Sequence, residues 1–274
     1  MRLRHSFSSR HTRKIKNIRK QRKKYPSIVE NIIQDSDIIL EILDARFIQK
    51  TRNEEFEEEI KKRKKKIIYV FNKTDLIDKK KVKNYNYLLP NIAVSCKSHQ
   101  NIKELRDLIK RTAKTIAKPD KITVGVIGYP NTGKSSIINV LIGKGSAGVG
   151  SDAGFTKSMQ KIKLSQGIVL IDSPGIIPEK EYSSQDQKKL SAHAKLGARS
   201  YSQIKEPEMV ITLLMEDYPG LLEKHYKINA KGNPETLLEE LGKKKGFLKK
   251  GGQVNEDTVA RLIIKDWQQG NIRI

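Results

Sequence analysis

The 274-residue sequence contains a single cysteine, Cys96. That excludes an intramolecular disulfide framework and suits a reducing compartment. Long apolar runs are also missing: none approaches the roughly 20 residues that span a bilayer. The cationic N-terminal stretch is not followed by an apolar signal core. A cytoplasmic protein with no membrane partner is therefore expected. Acidic residues are the third shortage. Asp and Glu number 31 against 55 Lys and Arg, a net charge of +24, with a pI near 9.9. A chain this basic usually meets a polyanion, and nucleic acid is the commonest. A lysine-rich thermophile surface is the alternative, but that trend raises Glu along with Lys. The length leaves room for one core of ordinary domain size and a smaller second one.

The positive charge is unevenly placed. Residues 1–24 carry eleven Lys and Arg and no acidic residue. Such a block is too charged to pack a core; it reads as an arm that orders on a phosphate backbone, or as a merely solvated one. A run of six basic residues, Lys61 to Lys66, follows the acidic stretch Glu57 to Glu59. Pairs at i,i+4, among them Glu57 with Lys61 and Glu59 with Arg63, predict a helix over Glu54 to Lys66.

The chain is organised around Gly128-Tyr-Pro-Asn-Thr-Gly133-Lys134-Ser135, which fits G-x-x-x-x-G-K-[ST]. It lies between an apolar strand-like run, Lys121 to Ile127, and a helix-like one, Ser135 to Ile142. A phosphate loop works only as the turn between a strand and a helix, so these flanks matter more than the pattern. The glycines let successive N–H groups point inward at phosphate oxygens, and the helix N-terminus adds partial positive charge. Lys134 would reach the β/γ-phosphates and the Ser135 hydroxyl would bind Mg²⁺.

Two apolar strands precede this loop. Asp37 to Asp44 ends in Asp44-Ala-Arg46, and Ile67 to Phe71 ends in Asn72-Lys73-Thr74-Asp75, which fits N-K-x-D. The tetrapeptide chooses among nucleotides. Guanine presents two adjacent donors, N1–H and the 2-amino group, and the Asp75 carboxylate can accept both. Adenine has no such pair. Asn72 would tie the base loop to the phosphate loop, and the aliphatic stem of Lys73 would cover the base. A third strand, Ile92 to Val94, runs into Ser95-Cys96-Lys97, and Asn101 to Ala117 follows as an amphipathic helix with Leu105, Leu108 and Ile109 on one face. Nothing near Cys96 completes a redox or metal site.

Beyond the phosphate loop, Gly143 to Gly154 holds five glycines in twelve residues and leads to Thr156. Gln160 to Leu164 and Ile168 to Ile171 form a hairpin that ends in Asp172-Ser-Pro-Gly175, a D-x-x-G motif. From Ser183 on the pattern is helical. Ser184 and Gln187 suit a capping box, and Asn233-Pro234 suits an N-cap with a first-turn proline. The last helix sets Val259, Leu262, Ile263 and Trp267 on one face and stops at Gly270. Trp267 reads as core more readily than as a base-stacking platform.

Base loop, Ser-Cys-Lys loop, phosphate loop, threonine loop and D-x-x-G in this order are a cyclic shift of the Ras-like arrangement. The set resembles the circularly permuted GTPases of the YlqF/RbgA type. The resemblance extends through Asp44-Ala-Arg46, Arg52-Asn53, Gly246 to Gly252 and Asp266 to Ile274, and covers residues 25–274. It implies an α/β fold: a permuted, doubly wound Ras-like domain at 25–180 with a helical C-terminal domain at 181–274. It further implies GTP hydrolysis in large ribosomal subunit assembly, with ribosomal RNA or a subunit precursor as partner; a monomer is favoured. The implied GTP-binding set is Asn72, Lys73, Asp75, Ser95, Cys96, Lys97, Asn131, Thr132, Gly133, Lys134, Ser135, Ser136, Thr156, Asp172 and Gly175. Lys134, Thr156 and Gly175 would serve catalysis. Ser135, Thr156 and Asp172 would hold Mg²⁺, and Asn131 would either bind K⁺ or cap the loop. In place of the Ras-type glutamine stand Ile176 and Ile177, which implies slow intrinsic hydrolysis. His11 stands at the wrong spacing for the helper histidine of bacterial relatives. A permuted GTPase for tRNA or the small subunit, and a non-catalytic RNA-binding scaffold with a structural nucleotide, remain as alternatives.

Overall fold

Six strands among the described residues make one sheet in the order β3-β2-β1-β4-β6-β5. They are β1 (Ile38–Asp44), β2 (Lys66–Asn72), β3 (Asn91–Ala93), β4 (Ile122–Gly128), β5 (Gln160–Ser165) and β6 (Ile168–Asp172). All neighbours pair in parallel except β5 and β6, which form the antiparallel hairpin. The fold comes from a computed structural model and is described over residues 28–78, 84–117, 121–143, 160–173, 191, 193–197 and 199–274. The basic arm with His11, the threonine loop with Thr156, Gly175, Ile176, Ile177 and the Ser184–Gln187 box lie outside these residues.

Parallel neighbours need crossovers, and helices supply them. The first helix, α1, spans residues 28–35. Next come α2 (Ile48–Thr51), α3 (Glu54–Lys62), α4 (Ile102–Lys114) and α5 (Lys134–Ile142). Every residue of β1 is buried, which is why the central strands read as unbroken apolar runs rather than alternating ones. Alternation survives in which face each residue serves. Ile38, Leu40 and Ile42 pack with Leu105 and Ile109 of α4 and Ile137 of α5. Ile39 meets Ile32 and Ile33 of α1 on the opposite face, while Leu43 meets Ile48 and Phe71.

Helix α3 stops at Lys62, four residues before the expected end. Lys64 takes a left-handed conformation with φ of 54°, and Lys65 N donates to Ile60 O at 3.1 Å, a local closure that ends helices. The basic run is thus divided among helix, turn and the first residue of β2. Glu57 departs from its expected partner as well. It is buried, with its carboxylate taking Arg52 Nε and Nη2, both at 2.8 Å, and the Tyr69 hydroxyl at 3.0 Å. A buried carboxylate has to be paired, and an outward lysine on the same helix cannot do it. Glu59 and Arg63 do pair, at 2.6 Å.

The later residues are helical: α6 (Pro207–Asp217), α7 (Leu221–Tyr226), α8 (Pro234–Lys245) and α9 (Glu256–Gln269). Asn233 Oδ1 accepts from Thr236 N at 3.2 Å and Asn255 Oδ1 from Thr258 N at 3.3 Å, capping α8 and α9. Their core holds Val210, Leu214, Leu241, Ile263 and the fully buried Trp267. Leu262 of the predicted face is only half-buried; Ile264 takes its place in the core. Phe47, just after β1, and Tyr129, in the phosphate loop, enter this same core.

Candidate functional site

The chain leaves β4 at the point where the sheet grows both ways, toward β1 on one side and β6 on the other. In open α/β sheets the crevice at the carboxyl ends of the strands opens at such a switch point. Gly128 has φ of 148°, and a Cβ there would lie 2.4 Å from Ile42 O. Gly133 has φ of 98°, and a Cβ would sit 2.2 Å from Asn72 Nδ2. Both positions therefore require glycine, and the second marks where two motifs touch.

At that contact Asn72 Nδ2 donates to Thr132 O at 2.9 Å, while Asn72 Oδ1 accepts from Cys96 N at 3.4 Å. One amide thus joins the base motif, the phosphate loop and the Ser-Cys-Lys loop. Lys73, itself left-handed with φ of 66°, donates from Nζ to Asn131 O at 2.6 Å and to Asp44 Oδ2 at 2.9 Å. Its ammonium is anchored beneath the loop, so only its stem is placed along the cleft. Ser95 Oγ donates to Asp75 Oδ1 at 2.6 Å and accepts from Ser98 N at 3.2 Å, which orients the carboxylate. Burial, with the Asp75 charge adding to it, pushes the Cys96 thiol up to about 12. It is a neutral packing group at physiological pH.

A cleft of about 390 Å³ opens between these loops. Asp75, Cys96 and Lys97 line one side, and Gly133 and Ser136 another. Lys134 lies deeper, with Nζ donating to Gly128 O at 3.1 Å and Tyr129 O at 2.9 Å. Burial lowers its pKa to about 8, against the opposing pull of Asp172. Carbonyl partners are neutral, so an anion here would gain the full attraction of the ammonium. Ser135 Oγ donates to Asp172 Oδ2 at 3.2 Å. A hydroxyl and a carboxylate oxygen facing each other beside the phosphate loop are hard ligands, and that donor set fits Mg²⁺, which takes few protein groups. Asn131 Nδ2 donates to Gly197 O at 2.7 Å, tying the phosphate loop to the helical part.

The structure thus brings together Asn72, Lys73, Asp75, Ser95, Cys96, Lys97, Asn131, Thr132, Gly133, Lys134, Ser135, Ser136 and Asp172 around one crevice. The reading by motif missed two pairs of contributors. Asp44 and Arg46 were legible only as a family segment, yet Asp44 holds the Lys73 ammonium and Arg46 holds Asp44. Gln268 and Gln269 of α9 also line the cleft, and no local pattern announces them.

The chain is similar to known proteins along most of its length. The family described as 50S ribosome-binding GTPase matches residues 123–240. The GTP-binding protein MJ1464 of Methanocaldococcus jannaschii is 36% identical over 254 residues, covering 91% of this chain and 67% of that protein. GTPase grn1 of Schizosaccharomyces pombe is 30% identical, over 92% of this chain and 61% of its own length. Nucleolar GTP-binding protein 2 of Saccharomyces cerevisiae is 34% identical, over 88% and 50%. The chain therefore spans only half to two thirds of the length of these relatives. In fold it is similar to GNP-bound YlqF from T. maritima, with a TM-score of 0.62 at 21% identity over 90% of this chain and 94% of that one. With its base motif ahead of its phosphate loop and these relatives along nine-tenths of its length, the chain belongs to the family of circularly permuted GTPases.

Proposed function

We propose that the chain binds guanine nucleotide in the cleft, hydrolyses GTP to GDP and phosphate, and uses that cycle on ribosomal RNA in large-subunit assembly. The observation that carries the reading is the meeting of Asp75, Lys97 and Gly133 in one crevice, with Lys134 and Ser135 following Gly133 at the start of α5. Asp75 accepts the N1–H and 2-amino protons of guanine. Backbone N–H groups at the start of α5 and the Lys134 ammonium take the phosphates. Ser135 and Asp172 are the described groups that would hold Mg²⁺, which would supply charge neutralisation to the phosphates. Water attacks the γ-phosphate, and the protein chiefly positions the phosphates and offsets their charge. Thr156 and Gly175 complete this arrangement in the proposal. Asn131 would either bind K⁺ or only brace the loop through its bond to Gly197 O, and comparing turnover in potassium and in sodium decides between the two roles.

The organisation proposed is a basic arm at 1–24, a GTPase domain at 25–180 and a helical domain at 181–274. The relatives' names, ribosome-binding and nucleolar, and the net charge of +24 support an RNA or subunit partner. Among the described residues no helix is long and apolar enough to cross a membrane. Titration with GDP and ADP, then turnover with and without large-subunit particles, tests the reading. Preference for GDP and stimulation by the particle are the expected results. Equal affinity for ADP ends the nucleotide assignment, and turnover indifferent to particles ends the ribosomal one.

A further inference from the structure

The nucleoside end of the cleft has a wall that does not come from the GTPase sheet. Gln268 and Gln269 at the end of α9 line it, together with Asp75 and Lys97. Their backbone is pinned on both sides to the neighbourhood of the base motif. On one side Trp267 O accepts from Arg46 Nη1 at 3.0 Å. On the other, Ile274 N donates to Leu76 O at 3.0 Å, one residue past Asp75. Between them Gly270 closes α9 so near Leu76 that a Cβ would lie 2.9 Å from Leu76 Cδ1.

The two glutamines differ in what they already do. Gln268 Nε2 donates to Ala194 O at 2.9 Å and to Arg199 O at 2.8 Å, which uses both amide hydrogens for structure. Gln269 is exposed, and its side chain makes no hydrogen bond among the described residues. A free amide on a fixed backbone, among the residues lining the cleft, offers one acceptor and two donor hydrogens at little further cost in backbone order.

We propose that the end of α9 is part of the nucleoside site and that the Gln269 amide hydrogen-bonds the guanine–ribose part of the bound nucleotide. The inference rests on the nucleotide reading above and adds a residue from the helical part to it. Gln269 shares the cleft with Asp75, Cys96 and Lys97, whereas Lys134, Ser135 and Asp172 are not among the residues lining it, so the contact is assigned to the nucleoside and is independent of the γ-phosphate. Nucleotide binding and docking of α9 then stabilise one another, since each completes the other's surface.

The test compares Gln269→Ala with the wild-type protein for GDP and for a non-hydrolysable GTP analogue. Loss of one neutral hydrogen bond should weaken both by the same factor, about fivefold. Trp267 is the sole tryptophan, so its emission reports whether α9 stays docked, and in the nucleotide-free variant it should match wild type. Unchanged affinity overturns the proposal. So does a loss confined to the GTP analogue, or a loss accompanied by a shifted Trp267 emission, which would make Gln269 a docking residue. Asp75→Asn is measured alongside. If that variant keeps its guanine nucleotide affinity, the site assignment itself is wrong; if it loses affinity while Gln269→Ala does not, only the α9 contact is wrong.

Discussion

The Arg46 guanidinium donates to the Trp267 carbonyl at 3.0 Å and lies 5.1 Å over the indole ring. The same group grips Asp44 through Nε and Nη2, at 3.0 and 2.8 Å, and Asp44 Oδ2 also takes Lys73 Nζ at 2.9 Å. Burial alone would raise the Asp44 carboxyl. The charges of Lys73 and Arg46 outweigh it and hold the group well below the usual carboxylate range. The end of β1, the base motif and α9 therefore share one charge network.

Arg46→Ala should cost about 3 kcal/mol of stability, because it strips a partner from a buried carboxylate and a stacking cation from Trp267. Chemical denaturation measures the loss, and the folded variant's Trp267 emission should shift to the red. A variant as stable as wild type, with the same emission, would show the network to be incidental.

Asp75→Asn should lower GDP affinity about 100-fold or more and confer binding of xanthosine diphosphate. An amide presents a donor where guanine N1–H also donates, leaving buried polar groups unmatched. Titration with both nucleotides decides it, and wild-type GDP affinity in the variant would refute the base assignment.

Lys134 links phosphate binding to protons. Its pKa near 8 without nucleotide must rise when a polyphosphate anion arrives beside it. A group whose pKa rises on binding takes up protons, so GTP affinity should fall as pH climbs through 8. Calorimetry at pH 8.5 in two buffers of different ionisation enthalpy should reveal the uptake. Lys134→Ala should abolish both the proton uptake and triphosphate binding, and a wild-type GTP affinity there would end the phosphate-loop reading.

Glu41 sits in the middle of β1 with its Oε1 accepting from Asn53 N at 2.9 Å. Among the described residues its Oε2 has no hydrogen-bond partner. Burial first, then the charge of Glu57, raises its pKa well above the usual carboxylate value. Unfolded, the group ionises near the ordinary glutamate pKa of about 4.3. Its contribution to stability is complete below that point and is lost as pH rises toward the folded pKa. Glu41→Gln keeps the acceptor for Asn53 and removes the charge. The variant should melt higher than wild type at neutral pH, by a margin that widens from pH 5 upward. A margin independent of pH would mean that Glu41 is ionised in the folded protein.

Deleting residues 1–24 removes eleven positive charges. Affinity for ribosomal RNA should then fall less steeply with salt, because fewer counterions are released from phosphates. GDP affinity should be unaffected. An unaltered slope of log K against log salt would make the arm merely solvated.

Local chemistry made much of this protein legible from its residues. Apolar runs bounded by motif residues gave the strands, and Asn72, Gly128 and Asp172 stand at or next to the carboxyl ends of β2, β4 and β6, because a phosphate or base loop is a turn of fixed backbone shape. Helix caps at Asn233 and Gly270 are likewise decided within a few residues. What the chain order could not express is contact between segments far apart. The interval from Arg46 to Trp267 carries no periodicity that would pair them. Nothing near Tyr129 says that a phosphate-loop side chain completes a helical core, or that Gln268 and Gln269 line the same cleft as Asp75. Helix α3 shows the same division. Its charge spacing is written in the sequence, yet Glu57 turned inward because Arg52, five residues before it, and Tyr69 of β2, against which α3 packs, satisfy a buried carboxylate better than an exposed lysine can.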